Sequence, residues 1–374
     1  MICPAPFTSQ VLWANGKISM CCNDTTSSEM TLEGEWNSPE RMEARKTFLD
    51  GGVPDRCKLC FKRESRGDVT LQRWYNQQFD EFPQEEYRVD MPQYLHISPS
   101  NKCNLACRMC SPDNSDLFGK LYKDVTPKYQ FEIENHRPLG TVDYIRKALP
   151  ELTNYVFHGG EPMFDPDFMT ILKLLATRAD DIKVTLITNG MGTKSNGEDV
   201  IPWLKKFKEL TIMVSFDGDP KVNDYMRALT HSKRVIKNYN TLCRELPNAT
   251  MNMHSVLTNV FAMNAIAYAK FMMNNPFERI YHISTCVIEY PTMYKISNIP
   301  VERRFEITNE IDAYLATHDM SGDTGDSVRR TLEIIKLELF SEPFNITEYV
   351  TFMKTNRLMD ERVNDNLINV MEVV

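Results

Sequence analysis

Three cysteines, Cys103, Cys107 and Cys110, fall within the run Asn101-Lys-Cys-Asn-Leu-Ala-Cys-Arg-Met-Cys110. Thiolate sulfur is the usual protein ligand of iron–sulfur clusters, and three thiolates on one short loop can hold a four-iron cluster while leaving its fourth iron open. The competing chemistry is a zinc site, which wants a fourth protein ligand at short spacing. None follows Cys110 closely; the next histidine is His136, beyond a polar and aromatic stretch. The preceding Tyr94-Leu-His-Ile-Ser-Pro-Ser100 alternates and is β-prone, which predicts a strand whose end carries the ligand loop.

Further polar groups recur at the ends of apolar runs. Asn154-Tyr-Val-Phe-His158 reads as a buried strand running into Gly159-Gly160-Glu161-Pro162, where the glycines permit backbone conformations closed to other residues and Glu161 adds an acceptor. Ile182–Ile187 ends in Thr188-Asn189-Gly190, and Leu210–Val214 ends in Ser215-Phe-Asp217-Gly218. Arg227 follows in Asp224-Tyr-Met-Arg, and Asn252-Met-His-Ser-Val-Leu257 is another β-like run. Singly, a glycine pair after a strand is a turn, and an arginine after acidic residues is a surface ion pair.

The order and spacing of these segments resemble the radical S-adenosylmethionine (radical SAM) superfamily. The resemblance implies that SAM chelates the open iron and is reductively cleaved to a 5′-deoxyadenosyl radical. It implies that Gly159, Gly160 and Glu161 bind the SAM amino group, that Ser215 in the Ser-x-Asp217-Gly element meets the ribose, and that Arg227 pairs with the carboxylate, for which a guanidinium fork is well suited. Thr188 and Asn189 match a further family segment, and Val256 and Leu257 would back the adenine. Family members commonly carry an aromatic residue before the third cysteine; here it is Met109, flexible and polarizable enough to pack a ring face.

A second cysteine group precedes the first. Cys3, Cys21, Cys22, Cys57 and Cys60 lie within the first sixty residues, the last two as C-x2-C. Ser9–Trp13 and Lys17–Cys21, separated by Ala14-Asn15-Gly16, read as a hairpin aiming Cys21 or Cys22 toward Cys3. Cys3, Cys21, Cys57 and Cys60 would complete either a zinc site or a closed four-iron cluster, and ligand count does not separate these. The pattern, with Gly16-x4-Cys21, resembles the SPASM and twitch auxiliary-cluster modules of radical SAM proteins, which implies a second 4Fe-4S cluster. Adjacent strand residues point to opposite faces, so Cys22 is the spare, or the two exchange roles. Cys243 and Cys286 read as buried thiols without a metal role.

The elements that must position these groups alternate. Strands near 94–99, 154–158, 182–187, 210–216, 250–256 and 279–285 interleave with helices near 140–149, 166–178, 199–207, 232–246 and 262–274, which predicts parallel β/α units with the motifs at the strands' C-terminal ends. By resemblance the fold class is α/β, a partial (β/α)6 TIM-like barrel over 93–286, with a small N-terminal Cys-rich β-hairpin module over 1–75 and a C-terminal helical extension over 287–374. Gln72–Pro92 reads as a connector, and helices are expected near 301–317, 327–340 and 346–355, with a break at Ser321-Gly-Asp-Thr-Gly325.

The whole chain bounds the function classes. With 374 residues it can bury a sizeable core, and a net charge of −8 argues against a broad nucleic-acid surface. The basic run Lys205-Lys206-Phe207-Lys208 reads as a solvated helix face. Ten cysteines, with no leader-like or membrane-length apolar run, lead to an expectation of a reducing cytoplasm without disulfides. The reading is a radical SAM oxidoreductase or maturase acting on a peptide or protein, with S-adenosylmethionine and an electron donor such as flavodoxin or ferredoxin as partners, and with neither nucleic acid nor membrane. The alternatives are a radical SAM enzyme for a small carbohydrate- or nucleotide-derived metabolite, and a non-catalytic metal-binding interaction protein.

Overall fold

β-Branched and aromatic runs bounded by turn residues become strands here, and the helices between them bury one stripe each. The computed structural model describes residues 2–24, 31–64, 70–79, 82, 87–125, 140–367 and 370. His136 and parts of the segments expected over 1–75, 72–92 and 287–374 lie outside the described residues. Eight strands make a mostly parallel sheet: β1 (Ser9–Leu12), β2 (Ile18–Ser19), β3 (Tyr94–Ile97), β4 (Asn154–Phe157), β5 (Lys183–Thr188), β6 (Leu210–Ser215), β7 (Thr250–Leu257) and β8 (His282–Val287). The chain divides into two units, one comprising 1–101, 134–186 and 202–210, the other 102–133, 187–201 and 211–374.

In the first unit β3 pairs in parallel with β4, Tyr94 opposite Asn154, and β4 with β5, Asn154 opposite Lys183. The predicted hairpin forms: β1 and β2 are antiparallel, and Gly16 takes φ +80°, a left-handed turn conformation that glycine adopts without Cβ strain. β1 also pairs in parallel with β3, Ser9 opposite Tyr94, and Val11 and Leu12 are fully buried by doing so. The expected connector contains a helix, Leu71–Gln78, whose Tyr75 is buried and meets the Ser9 hydroxyl at 2.7 Å.

A buried polar network pins β1. Arg41, on the helix Pro39–Leu49, pairs with Glu35 at 2.8 Å and donates to the Ser9 carbonyl at 2.7 Å. Gln10 Nε2 donates to Glu35 at 2.8 Å, while Gln10 Oε1 accepts from the Tyr144 hydroxyl at 2.6 Å, tying the helix Thr141–Ala148 to the same strand. The Arg41 and Arg45 guanidiniums lie 4.8 and 4.6 Å from the Trp36 ring centre.

In the second unit β6, β7 and β8 are parallel neighbours, with Ser215 opposite His254 and His254 opposite Ser284. Burial alternates along β6 and β7, so Val214, Met253 and Leu257 are buried while Ser215, His254 and Val256 share the half-exposed face. Val235, Tyr239 and Leu242 make the buried stripe of the helix Ser232–Glu245. Three long helices end the chain: Val301–Thr317, Gly322–Leu339 and Ile346–Val363. The chain does break between the first two, over 318–321 with Ser321 as N-cap, while 322–325 form the first turn of the second. A Cβ on Gly325 would meet the Met320 carbonyl oxygen at 2.4 Å, so glycine here permits close packing rather than interrupting the helix. Among the described residues no helix is long and apolar enough to cross a membrane.

Removing one partner of a buried ion pair leaves the other charge uncompensated, at a cost of roughly 3–5 kcal/mol. Glu35→Ala is therefore expected to destabilise the protein by about that amount. Urea unfolding checks this, and an unchanged midpoint would show that the network does not hold β1.

Candidate active site

The loop carrying Cys103, Cys107 and Cys110 is fixed by its own backbone. Cys103 N–H donates to Asp116 Oδ1 at 3.2 Å, Leu105 N–H reaches Cys103 Sγ at 3.4 Å, and Cys110 N–H donates to the Cys107 carbonyl at 2.9 Å. Two more amides, of Ala106 and Arg108, donate to the carbonyls of Ala228 and Met226 at 3.1 and 2.8 Å. The loop is thereby zipped to the turn that carries Arg227. Asn189 Nδ2 donates to Asn104 Oδ1 at 2.8 Å, so this predicted site residue holds the loop between its first two cysteines.

Arg108, between two of the cysteines, has a fully buried side chain. Its Nε donates to the Tyr225 carbonyl at 2.9 Å, its guanidinium carbon lies 3.8 Å from the Tyr225 ring centre, and it pairs with Asp360 at 2.8 Å and Asp365 at 3.5 Å. Asp360 belongs to the Ile346–Val363 helix, whose Asn356 Oδ1 accepts from the hydroxyls of Tyr225 and Tyr294, and whose Met359 packs with Ala106, Phe118 and Tyr122. The C-terminal helix thus grips the ligand loop from behind. Arg108 is visible in the sequence as a charge within the motif, but nothing in sequence spacing pairs it with a carboxylate some 250 residues on (from position 108 to 360).

Arg227 is buried and its Nε lies 2.8 Å from Asp217 Oδ2, with a second contact at 3.2 Å. Asp217 Oδ1 also accepts the Val256 N–H at 2.8 Å. Burial pushes the Cys107 thiol up and Arg227 beside it pulls it back; burial pushes Cys110 up to about 12. A buried thiol resists ionising unless positive charge is supplied, which bound iron does. Three sulfur donors on a rigid loop beside a guanidinium fit a cluster of that charge.

The remaining predicted residues take distinct places. Thr188 Oγ1 accepts from Gly190 N–H at 3.1 Å, Ser215 ends β6 on its half-exposed face, and Met109 is half-buried. Val256 shares that face of β7, whereas Leu257 is fully buried on the opposite one. In the first unit Gly159 has φ +119° and a Cβ there would meet Ser98 Cβ at 3.0 Å. Gly160 follows it in the same turn, and buried Glu161 caps the turn Pro162–Phe164 by accepting from Met163 N–H at 3.4 Å.

Also in the first unit, Cys3, Cys21, Cys57 and Cys60 line one pocket of about 450 Å³, mouth included, together with Met20, Asp24 and Tyr75. Asp24 is held there by a forked bond from Arg56, 3.0 and 2.6 Å. Burial, with the neighbouring cysteines adding, pushes Cys57 up to about 12 and Cys3 well up; burial takes Cys21 to about 11. Cys22 turns elsewhere, its Sγ 3.3 Å from His96 Nδ1. Among the described residues no group of three or more His, Cys, Asp or Glu side chains is drawn together at single-ion spacing. Among the described residues no cysteine forms a disulfide; Cys286, expected buried, is exposed on β8, and Cys243 is buried.

No curated protein matches the sequence. Among solved structures, Streptococcus suis SuiB bound to S-adenosylmethionine is 16% identical with a TM-score of 0.40, over 75% of this chain and 60% of its own. The structure of anSMEcpe with bound AdoMet is 17% identical with a TM-score of 0.39, over 60% of this chain and 61% of its own. TYW1 with a lysine-pyruvate adduct is 11% identical with a TM-score of 0.34, over 59% and 73%. The chain thus spans about three fifths of the length of SuiB and anSMEcpe. Residues 97–262 match the radical SAM superfamily. That match takes in the cysteine loop and the segments through Leu257, under half of the chain.

Proposed function

We propose that the protein is an enzyme that cleaves S-adenosylmethionine reductively and abstracts a hydrogen atom from a peptide or protein substrate that it modifies. The observation that carries this reading is the loop of Cys103, Cys107 and Cys110 zipped by backbone bonds to the turn bearing Arg227. When bound, the cluster and S-adenosylmethionine supply one-electron cleavage to a 5′-deoxyadenosyl radical.

The chain's own residues bind and orient. Arg227 keeps its Nε on Asp217 and has further guanidinium N–H groups for the SAM carboxylate. Glu161, with the Gly159 and Gly160 backbone, takes the ammonium; Ser215 takes the ribose; Met109 and Val256 pack the adenine. Asn189 and Arg108 act one step back by fixing the cysteine loop. In the first unit, Cys3, Cys21, Cys57 and Cys60 would hold a second 4Fe-4S cluster, and a flavodoxin- or ferredoxin-type donor would supply electrons. Support for a peptidyl substrate is the four-thiol pocket, since auxiliary clusters of the SPASM and twitch kind accompany peptide and protein modification in the superfamily.

Three outcomes are expected. Replacing Cys103, Cys107 and Cys110 together with Ala removes one cluster's iron and abolishes 5′-deoxyadenosine formation; undiminished formation in the triple variant would refute the assignment. Arg227→Lys keeps charge but loses the planar fork, and should weaken SAM binding about ten- to hundredfold with iron content intact. Calorimetric titration reads this, and wild-type affinity would remove Arg227 from the site. Cys57→Ala with Cys60→Ala should lower iron from about eight to about four atoms per chain. Four irons and one zinc in the parent protein would make the N-terminal site a structural zinc staple.

A further inference from the structure

Cys286 has no role in the reading above, yet it stands close to that site's charged pair. Strand register sets Cys286 opposite Val256, Ser284 opposite His254, and His254 opposite Ser215. Residues two apart on a strand share a face, so Asn252, His254 and Val256 form one row on the half-exposed side of β7. Cys286 Sγ lies 3.6 Å from His254 Nε2, and His254 Nδ1 lies 3.4 Å from Ser284 Oγ.

We propose that Cys286 and His254 form a hydrogen-atom donor site for a carbon radical generated beside the Asp217–Arg227 pair. The proposal rests on the function proposed above and adds the step that ends the radical's life.

The pair's surroundings suit hydrogen-atom transfer rather than nucleophilic attack. Although Cys286 reaches solvent, desolvation first and the Asp217 charge second push its thiol up to about 11, and burial lowers His254. At neutral pH the pair is a thiol beside a neutral imidazole, and an S–H bond is weaker than an ordinary C–H bond. In the forward step that S–H bond breaks homolytically as a C–H bond forms on the substrate radical, and the unpaired electron passes to sulfur. The thiyl returns to thiol by taking one electron from a reductant of the flavodoxin or ferredoxin class and one proton, relayed from solvent by His254. The substrate carbon loses one hydrogen atom and regains one. The class of reaction is therefore redox-neutral at the substrate, a change of configuration rather than a dehydrogenation.

The test uses the reconstituted full chain with S-adenosylmethionine and dithionite in D2O, without added substrate, so that the 5′-deoxyadenosyl radical is the carbon radical being quenched. Mass spectrometry reads the deuterated fraction of 5′-deoxyadenosine, a ratio independent of total yield. Wild-type protein is expected to deliver solvent deuterium through Cys286, and Cys286→Ala and Cys286→Ser to lose it. Serine keeps the size of the side chain and a hydrogen bond to His254, but its O–H bond is too strong to give up a hydrogen atom. A purely structural role would leave the serine variant's isotope fraction unchanged. An unchanged fraction in both variants overturns the donor alone, whereas absence of 5′-deoxyadenosine from wild-type protein overturns the underlying function as well.

Discussion

The second unit depends on one buried charge. Arg108 cannot leave its guanidinium unpaired out of water, because an isolated buried ion is far costlier than a paired one. Its charge is balanced by Asp360 and Asp365, its Nε donates to the Tyr225 carbonyl, and its plane lies over the Tyr225 ring. Each partner lies on a different piece of chain, so satisfying one side chain brings the cysteine loop, the turn before Arg227 and the C-terminal helix into register. Apolar contacts of Met359 with Ala106, Phe118 and Tyr122 then fill the space around the polar centre.

The two cysteine groups are assembled by opposite routes. Cys103, Cys107 and Cys110 are local, so their loop is organised by short-range N–H bonds and needs only to be held from behind. Cys3, Cys21, Cys57 and Cys60 come from segments far apart in sequence and are gathered by the fold of the first unit. Their gathering relies on β1, and β1 relies on the Glu35–Arg41–Gln10 network. In both places burial raises thiols, Cys107 and Cys110 in one group and Cys3, Cys21 and Cys57 in the other, which positive charge from a bound metal would offset.

Across β6 to β8 the division of labour follows the pleat. Buried-face residues such as Val214 and Met253 supply the core, while the alternate row, Ser215, His254 and Val256, is free to carry chemistry. A single-residue slip of register would exchange the two rows, and the apolar row is what prevents it.

Much of this was legible in the sequence. Apolar runs ending in polar groups mark β3 to β8 with their intervening helices, since strands buried by helices must be apolar and their ends must not be. The cysteine spacing and the ordered motifs point to the radical SAM domain because each is a local pattern. Tertiary structure decided the rest. Parallel pairing of β1 with β3 joins residues some 85 apart in sequence (9 with 94), and the helix Leu71–Gln78 forms because Tyr75 finds a core there, neither of which a local pattern encodes. Gly325 suggested a break but serves close packing against Met320. Cys286 reads as another buried thiol in sequence, but the fold leaves it exposed on β8. The pairing of Arg108 with Asp360 exists only once the chain has folded back on itself, because a buried charge selects its partner by position in space and not by distance along the chain.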